Sequence, residues 1–213
     1  MNTLIPSKQS PRAAKAIAAL EKNHFHAAYF PTARAAMDEL CRLTPHTASV
    51  GLGGSQTLEQ LAIRERLVSL GNIVYCHNKP GLTPEEILSI RRQQLTCDIF
   101  LTSSNAITED GKLVNTDATG NRVAAMIFGP KKVIVIAGIN KLTATVVDAQ
   151  KRIYTIAAPR NNQRLKRPNP CTTTGHCNDC EAPTRLCNVF TVMHRCPTAS
   201  DIHVWIIGEE LGY

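Results

Sequence analysis

Four cysteines lie close together in one polar segment of the chain, residues 170–188. Cys177 and Cys180 form a Cys-x-x-Cys pair, which lets two thiolates reach one metal centre from a tight turn. Cys171 and Cys187 flank this pair at spacings over which a loop can fold back. Because an iron–sulfur cluster and an all-cysteine zinc site both need four thiolates, the segment predicts a metal centre but leaves the metal open.

The spacing of these cysteines favours iron over zinc. Structural zinc sites made of four cysteines usually contain two Cys-x-x-Cys pairs, and this segment contains one. We therefore expect a 4Fe-4S cluster bound by Cys171, Cys177, Cys180 and Cys187, with zinc as the alternative. Cys196, which a proline follows, and His176, inside the segment, are reserve ligands.

Disulfide bonds are the competing explanation for clustered cysteines. They persist in oxidising compartments, and residues 1–8 lack the apolar core and the cleavage site of a signal peptide. We therefore expect a cytoplasmic protein with reduced thiols.

Length and composition predict a single domain. The chain has 213 residues, of which 43% are hydrophobic, which is enough for one sizeable core. We expect a single domain over residues 1–213, with an N-terminal helical part at about 1–45 and a cysteine-rich loop at about 170–197. No apolar run approaches the roughly 20 residues that cross a bilayer, so membrane insertion is not expected.

The net charge of +7 favours anionic partners. Part of this charge lies in a basic run that precedes the cysteines and does not alternate with aromatic residues for base stacking, so nucleic acid is not favoured. A solvated linker and a local anion site are the two interpretations of this run. It consists of Lys151, Arg152, Arg160, Arg164, Lys166 and Arg167.

Helical and strand patterns alternate along the chain. This alternation predicts an α/β fold with a mainly parallel sheet covered by helices on both faces. The dipeptide Asp110-Gly111 predicts a hairpin turn, because it tolerates positive φ angles. Helices are predicted at about 10–23, 32–42, 58–68, 83–95, 119–128 and 143–153, and strands at about 48–52, 72–75, 98–102, 132–137, 155–158 and 203–207.

Ligands of such sheets bind beyond the carboxyl ends of the strands. Segment 51–57, Gly-Leu-Gly-Gly-Ser-Gln-Thr, follows a strand, and its glycines let backbone amides approach a phosphate or carboxylate. It lacks the lysine of a Walker loop and the full dinucleotide fingerprint, so a tight strand-to-helix turn is the alternative.

A second polar region follows the strand at 98–102. The hairpin carries Glu109, and segment 115–122 begins the next helix with Asp117 and Arg122. A carboxylate near an anion site could abstract a proton from a sugar phosphate or a 2-hydroxy acid, so Glu109, Asp117 and Arg122 are the candidate catalytic residues. A solvated turn residue and a helix N-cap are the alternatives for Glu109 and Asp117. The candidate ligand-binding residues here are Asn105, Asn115, Thr119, Gly120 and Asn121.

Segments 51–57, 102–122 and 174–188 together resemble the LUD-domain family of lactate-utilisation proteins over nearly the whole chain. The cysteines set this chain apart from the short members and indicate a cysteine-containing subgroup. The resemblance implies a three-layer αβα sandwich similar to the sugar-phosphate isomerase and coenzyme A transferase group. In that group the glycine loop holds a phosphate or an acyl carrier, and the matching residues are Gly51, Gly53, Gly54, Ser55, Gln56 and Thr57.

Two classes of function remain open from the sequence, and an interaction subunit without its own chemistry is a third possibility. The first is an iron–sulfur enzyme or redox subunit, an oxidoreductase component or a lyase, that acts on a 2-hydroxy acid such as lactate. The second is a zinc-stabilised isomerase-like or transferase-like enzyme, or a binding module, for a phosphorylated or acyl metabolite. The resemblance implies other subunits of an oxidation system as partners, and a homo-oligomer is equally open.

Overall fold

The computed structural model describes residues 10–213, and its framework is a six-stranded parallel sheet. Two predictions concern residues 1–9, which lie outside the described residues: that this segment is not a signal peptide, and that the N-terminal helical part begins in it. The strands are β1 (His26–Phe30), β2 (Ser49–Leu52), β3 (Ile73–Cys76), β4 (Ile99–Thr102), β5 (Ala106–Thr108), β6 (Leu113–Asp117), β7 (Lys132–Gly138), β8 (Leu142–Thr143), β9 (Val189–Met193) and β10 (Ile202–Ile207).

Helices cover both faces of this sheet. A 3₁₀ turn, Ile139–Lys141, follows β7, and a π-helical turn, Ile153–Ala157, lies between two of the α-helices. The α-helices are α1 (Pro11–Lys22), α2 (Ala33–Leu43), α3 (Gln56–Gln60), α4 (Ile63–Ser69), α5 (Pro84–Gln94), α6 (Asn121–Ile127), α7 (Val146–Arg152), α8 (Ala158–Arg164) and α9 (Cys171–Thr174).

The strand order of the main sheet is β1-β10-β7-β4-β2-β3, and every pairing in it is parallel. Central strand β7 is apolar on both faces. Val133 and Val135 pack with α1 and α6 in one core, whereas Ile134 and Ile136 pack with α2 and α4 in the other. A strand buried on both sides is expected between two helical layers, so the predicted α/β sandwich is confirmed.

A second, four-stranded sheet of order β8-β5-β6-β9 lies beside the first. Strands β5 and β6 form the predicted antiparallel hairpin, and Gly111 adopts a φ of 79° in its turn. The turn packs against α1, because a Cβ at Gly111 would lie 2.5 Å from the carbonyl carbon of Ala19. A side chain at position 111 would therefore clash with helix backbone.

Two predicted elements were wrong, and two predicted segments contain further elements. The predicted strand at 155–158 is helical, because Ile153 and Ala157 are buried four residues apart, which is a helical spacing. The predicted helix at 58–68 is two helices, since Ala62 between them has a φ of 48°. The part at 1–45 is not wholly helical, because it contains β1, which pairs with β10. The cysteine-rich loop at 170–197 likewise contains α9 and β9.

None of the helices within residues 10–213 combines the length and the apolar character that a membrane span requires.

We predict that Gly111→Ala destabilises the protein by about 2–3 kcal/mol, since the new methyl group adds a clash with Ala19 to the strain of a positive φ. Gly71→Ala is the matched control, because Gly71 has a φ of 88° but no atom within 4 Å of the added Cβ. The control should cost only about 1 kcal/mol. Urea denaturation measures both values, and equal losses in the two variants would contradict the packing of the hairpin on α1.

Candidate functional site

A cleft of about 360 Å³ opens at the carboxyl edge of the main sheet. Strands β3, β2, β4 and β7 are neighbours there, so the residues that follow them meet at one place. His77, Ser55, Ser103 and Lys141 each follow one of these strands and line the cleft. The opposite wall comes from α8, from the start of α6 and from the segment that precedes β9.

The structure brings about half of the predicted ligand-binding residues to this cleft. The residues that line it are Gly54, Ser55, Gln56, Asn105, Thr119 and Asn121. Gly51, Gly53, Thr57, Asn115 and Gly120 do not line it. A Cβ at Gly53 would lie 2.9 Å from Thr102 Oγ1, and the Gly53 amide already donates to Leu101 O at 2.9 Å. Gly53 therefore permits close packing of β2 on β4.

Asp117 lies at the cleft and fixes a turn. Its Oδ1 accepts hydrogen bonds from the amides of Thr119 and Gly120 at 3.2 and 2.9 Å, and its Oδ2 lies 3.3 Å from Arg122 Nε. The N-cap of α6 is Gly120, with a φ of 85°, and not Asp117. Both carboxylate oxygens of Asp117 are thus occupied by protein groups.

Arg122 is buried beside Asp117 and holds the polar loops together. Its guanidinium donates to Ser103 O, Asn115 Oδ1 and Thr116 O at 3.1, 2.7 and 2.7 Å. Burial lowers the pKa of Arg122, and the charge of Asp117 opposes that change. Arg122 therefore positions the end of β4 against β6.

Glu109, the third predicted catalytic residue, is not part of the cleft. Its carboxylate binds α1 instead, with Arg12 Nε at 2.7 Å and Lys15 Nζ at 3.0 Å. The hydrogen bonds from Arg12 and Lys15 lower the pKa of Glu109. The hairpin turn carries Glu109 towards α1, so the expectation that it joins Asp117 and Arg122 was wrong.

Lys141 is a site residue that the sequence analysis missed. It is only 3% exposed, and its Nζ donates to Thr57 Oγ1 and Ser103 Oγ, both at 2.8 Å. No carboxylate of residues 10–213 pairs with it. Burial lowers the pKa of Lys141 to about 7, and the charges of Arg152 and Arg122 add to this effect. Lys141 lies in the turn that follows β7, at the carboxyl edge of the sheet where ligands bind. This position in the sequence was the signal that could have identified it.

Positive charge dominates the walls of the cleft. Three further arginines, Arg91, Arg164 and Arg167, line it together with Lys141 and Arg122. Within the described chain Arg91 forms no ion pair, and its Nε is buried without a hydrogen-bond partner. Arg164 and Arg167 belong to the basic run of the sequence, so part of this run lines the cleft.

The four clustered cysteines line one small cavity of about 10 Å³ next to the cleft. Cys187 lines both the cavity and the cleft. The Cys177 amide donates to Tyr154 O at 2.7 Å, so the π-helical turn anchors one side of this cysteine cavity. The Asp179 amide lies 3.4 Å from Cys177 Sγ, a contact that stabilises a thiolate.

Arg185 closes the other side of the cysteine cavity. It donates to the carbonyl oxygens of Cys180 and Cys187 at 2.8 and 3.1 Å, and it pairs with Asp179 at 2.8 Å. Burial raises the pKa of Cys187 to about 11, and the nearby Cys177 and Cys171 thiols add to the rise. A bound cation would oppose both effects, so the donor set fits a thiolate-binding metal.

The sulfur atoms of this cavity are not packed for a single metal ion. In the described part of the chain, no three of them lie within 4.8 Å of one another. Four thiolates at about 2.3 Å from one tetrahedral zinc ion would be separated by about 3.8 Å. The sulfur atoms would therefore have to move closer together before they could share one zinc ion.

The two reserve ligands lie outside the cysteine cavity. Cys196 packs against the core around α1, and its amide donates to Asn23 O at 2.9 Å. The ring of His176 is exposed, with Nδ1 3.0 Å from Thr174 O. Neither residue lines the cavity of the four cysteines.

A histidine–carboxylate group lies at the opposite, amino edge of the sheet. His26, Asp201 and His203 bring their ligand atoms within 4.8 Å of one another. Lys132 Nζ lies 3.1 Å from both Asp201 Oδ2 and His203 Nε2. This ammonium group already occupies the position where a cation would bind.

Comparison with known proteins agrees with this architecture. The family model described as LUD domain matches residues 13–207. A crystal structure of a DUF162 family protein from Deinococcus radiodurans is similar over 95% of this chain and 100% of that one, with a TM-score of 0.53 and 12% identity. At this identity the likeness shows the fold alone. None of the curated proteins matches the chain.

The buried Lys141 predicts that stability depends on pH. Its folded pKa of about 7 lies below the value of 10.5 for a free lysine, so the unfolded chain binds more protons between these values. The Lys141 contribution should therefore rise with pH across this window and be smallest below pH 7. Relative to Lys141→Met, the wild type should gain about 2 kcal/mol of unfolding free energy from pH 7 to pH 9.

Denaturant unfolding at each pH measures this difference, and Lys22→Met, a change at an exposed lysine, is the control. Subtracting the variant from the wild type removes the cysteines and tyrosines that titrate in the same range. A difference that stays constant with pH would show that Lys141 is not buried as an unpaired amine.

Proposed function

Because the chain belongs to the LUD-domain family, which is related to lactate utilisation, we propose that it binds a small anionic metabolite beside an iron–sulfur cluster. The cleft holds the metabolite, and Cys171, Cys177, Cys180 and Cys187 bind a 4Fe-4S cluster. The observation that carries this proposal is the position of Cys187, which belongs both to the wall of the cationic cleft and to the cysteine cavity.

The charges of the cleft support an anionic ligand. Its one lining carboxylate, Asp117, is already paired with Arg122, which leaves Arg91 and Lys141 without any carboxylate partner in residues 10–213. Buried or half-buried cations without counter-ions are costly, and a carboxylate or phosphate would relieve that cost. Arg91 suits a carboxylate because its guanidinium can donate two parallel hydrogen bonds.

A 2-hydroxy acid such as lactate is the proposed ligand class. The hydroxyl groups of Ser55 and Ser103 and the amide of Asn105 lie along the same cleft and can bond a polar substituent next to the anion. A phosphorylated or acyl metabolite fits the same charges, and inorganic phosphate is the probe for a phosphate group in this cleft.

The presence of a single Cys-x-x-Cys pair supports a cluster over one zinc ion, because all-cysteine zinc sites usually contain two such pairs. In a cluster each thiolate binds a different iron, so the four sulfur atoms lie farther apart than around one zinc. A cluster with all four positions taken by cysteine supplies electron transfer and has no open iron for Lewis-acid chemistry. The chain therefore acts as a redox subunit, with other subunits of an oxidation system or a second copy of itself as partners, in the reducing environment of the cytoplasm.

We predict that protein purified without oxygen is brown and contains about four iron atoms and four acid-labile sulfides per chain. Cys180→Ser should lose most of the iron, because one of the four ligands is gone. Cys196→Ser is the matched control and should keep it. Colourless wild-type protein with one zinc per chain would reject the cluster and favour the zinc-stabilised alternative.

We also predict that Arg91→Gln weakens anion binding by about 10- to 100-fold, the loss expected for a charge-assisted hydrogen bond. Calorimetric titration of the metal-loaded protein with lactate, and separately with inorganic phosphate, measures the effect. Arg34→Gln is the control, because the Arg34 side chain is 90% exposed and does not line the cleft. Equal affinity in wild type and Arg91→Gln would contradict an anion site at Arg91.

A further inference from the structure

We propose that His77 recognises the hydroxyl group of the bound anion by accepting its hydrogen bond. This inference rests on the proposed function and assigns a role to a residue that follows β3 at the carboxyl edge of the sheet. No motif in the sequence marks His77.

The tautomer of His77 is set by Gln94. Gln94 Nε2 donates to Leu52 O and Tyr75 O at 2.8 and 2.9 Å, which uses both of its hydrogens. His77 Nδ1 lies 3.0 Å from Nε2 and 3.2 Å from Oε1 of the same amide. With no hydrogen left on Nε2 for His77, the contact that forms is His77 Nδ1–H donating to Gln94 Oε1. The ring therefore carries its proton on Nδ1.

The other ring nitrogen, His77 Nε2, then keeps a free lone pair. Nε2 has no hydrogen-bond partner in the described residues, and the ring lines the cleft. It lies beside the glycine loop, since a Cβ at Gly54 would be 3.6 Å from it. The absence of a side chain at Gly54 leaves the approach to Nε2 open.

His77 is neutral under ordinary conditions. Burial lowers its pKa, and the charge of Arg91 lowers it further, whereas Gln94 and Asp117 act in the opposite direction. A neutral ring with its proton on Nδ1 can only accept at Nε2. Gln94 is almost fully buried and joins β2 to β3, so the orientation of the ring is fixed as well.

Arg91 and His77 therefore form a complementary pair of unpartnered groups in one cleft. Arg91 is a cationic donor that needs an anionic acceptor, and His77 is a neutral acceptor that needs a donor. A 2-hydroxycarboxylate carries both, whereas a simple carboxylate satisfies only Arg91. Sites built to bond a hydroxyl discriminate strongly against analogues without it, so we expect lactate to bind at least tenfold more tightly than propionate.

The test compares lactate with propionate by calorimetric titration of metal-loaded wild type, His77→Phe and His46→Phe. His46 is the control, because it is exposed and precedes β2, at the end of the strand opposite to the cleft. His77→Phe should bind both anions equally, with propionate affinity unchanged, because Arg91 remains. His46→Phe should retain the wild-type preference. Equal binding of lactate and propionate by wild type overturns the role of His77 and leaves the anion site intact. Failure of wild type to bind either anion overturns the proposed function and this inference together.

A second measurement uses the wild-type protein alone, without a substitution in the cleft. Nitrogen-15 NMR of the histidine rings in wild type should show His77 protonated at Nδ1 and unprotonated at Nε2, and added lactate should shift the Nε2 resonance. Propionate should shift it much less. A His77 ring protonated at Nε2 would overturn the inference even if His77→Phe fails to fold.

Discussion

The buried guanidinium of Arg122 is the contact on which the cleft depends. A buried arginine has five N–H donors that must find acceptors, and this requirement joins groups from separate parts of the chain. Arg122 bonds Ser103 O after β4, bonds Thr116 O and Asn115 Oδ1 in β6, and pairs with Asp117. The main sheet and the second sheet are thereby fixed at a common edge. Loss of this side chain would remove these three hydrogen bonds and leave the Asp117 carboxylate without its charged partner.

The same edge concentrates positive charge that the protein does not neutralise. Arg152 is buried next to Lys141, and its guanidinium donates to Asn105 O and Asn140 O at 2.6 and 3.1 Å. Burial lowers the pKa of Arg152 to about 10. Bonds to neutral carbonyls hold this charge in place without cancelling it, and Lys141 is likewise held by hydroxyl groups. The cleft thus keeps a positive potential that an anionic ligand can use.

The sequence predicted the architecture better than the site, for a physical reason. The alternation of helix and strand patterns and the Asp110-Gly111 dipeptide are local signals, so they predicted the parallel sheet and the hairpin. The error at 155–158 arose because a short apolar run fits either a strand or a buried helix. Glu109 was wrongly assigned to the site because the sequence does not show which element a hairpin turn packs against. The turn packs on α1, where Glu109 pairs with Arg12 and Lys15. Lys141 and His77 were missed because each is a single residue, and only strand order shows that their loops meet.

The cysteines were predicted from spacing alone, and the structure gives their relation to the rest of the chain. Cys187 is shared by the cysteine cavity and the cleft, and its burial raises its pKa. The amide of the next residue, Asn188, donates to Asp117 O at 3.1 Å, so the wall that contains Cys187 and the loop that contains Asp117 are parts of one network. A metal in the cysteine cavity and an anion in the cleft would both act on this network. Under the proposed function, metal binding and anion binding are therefore coupled, and each must strengthen or weaken the other by the same factor.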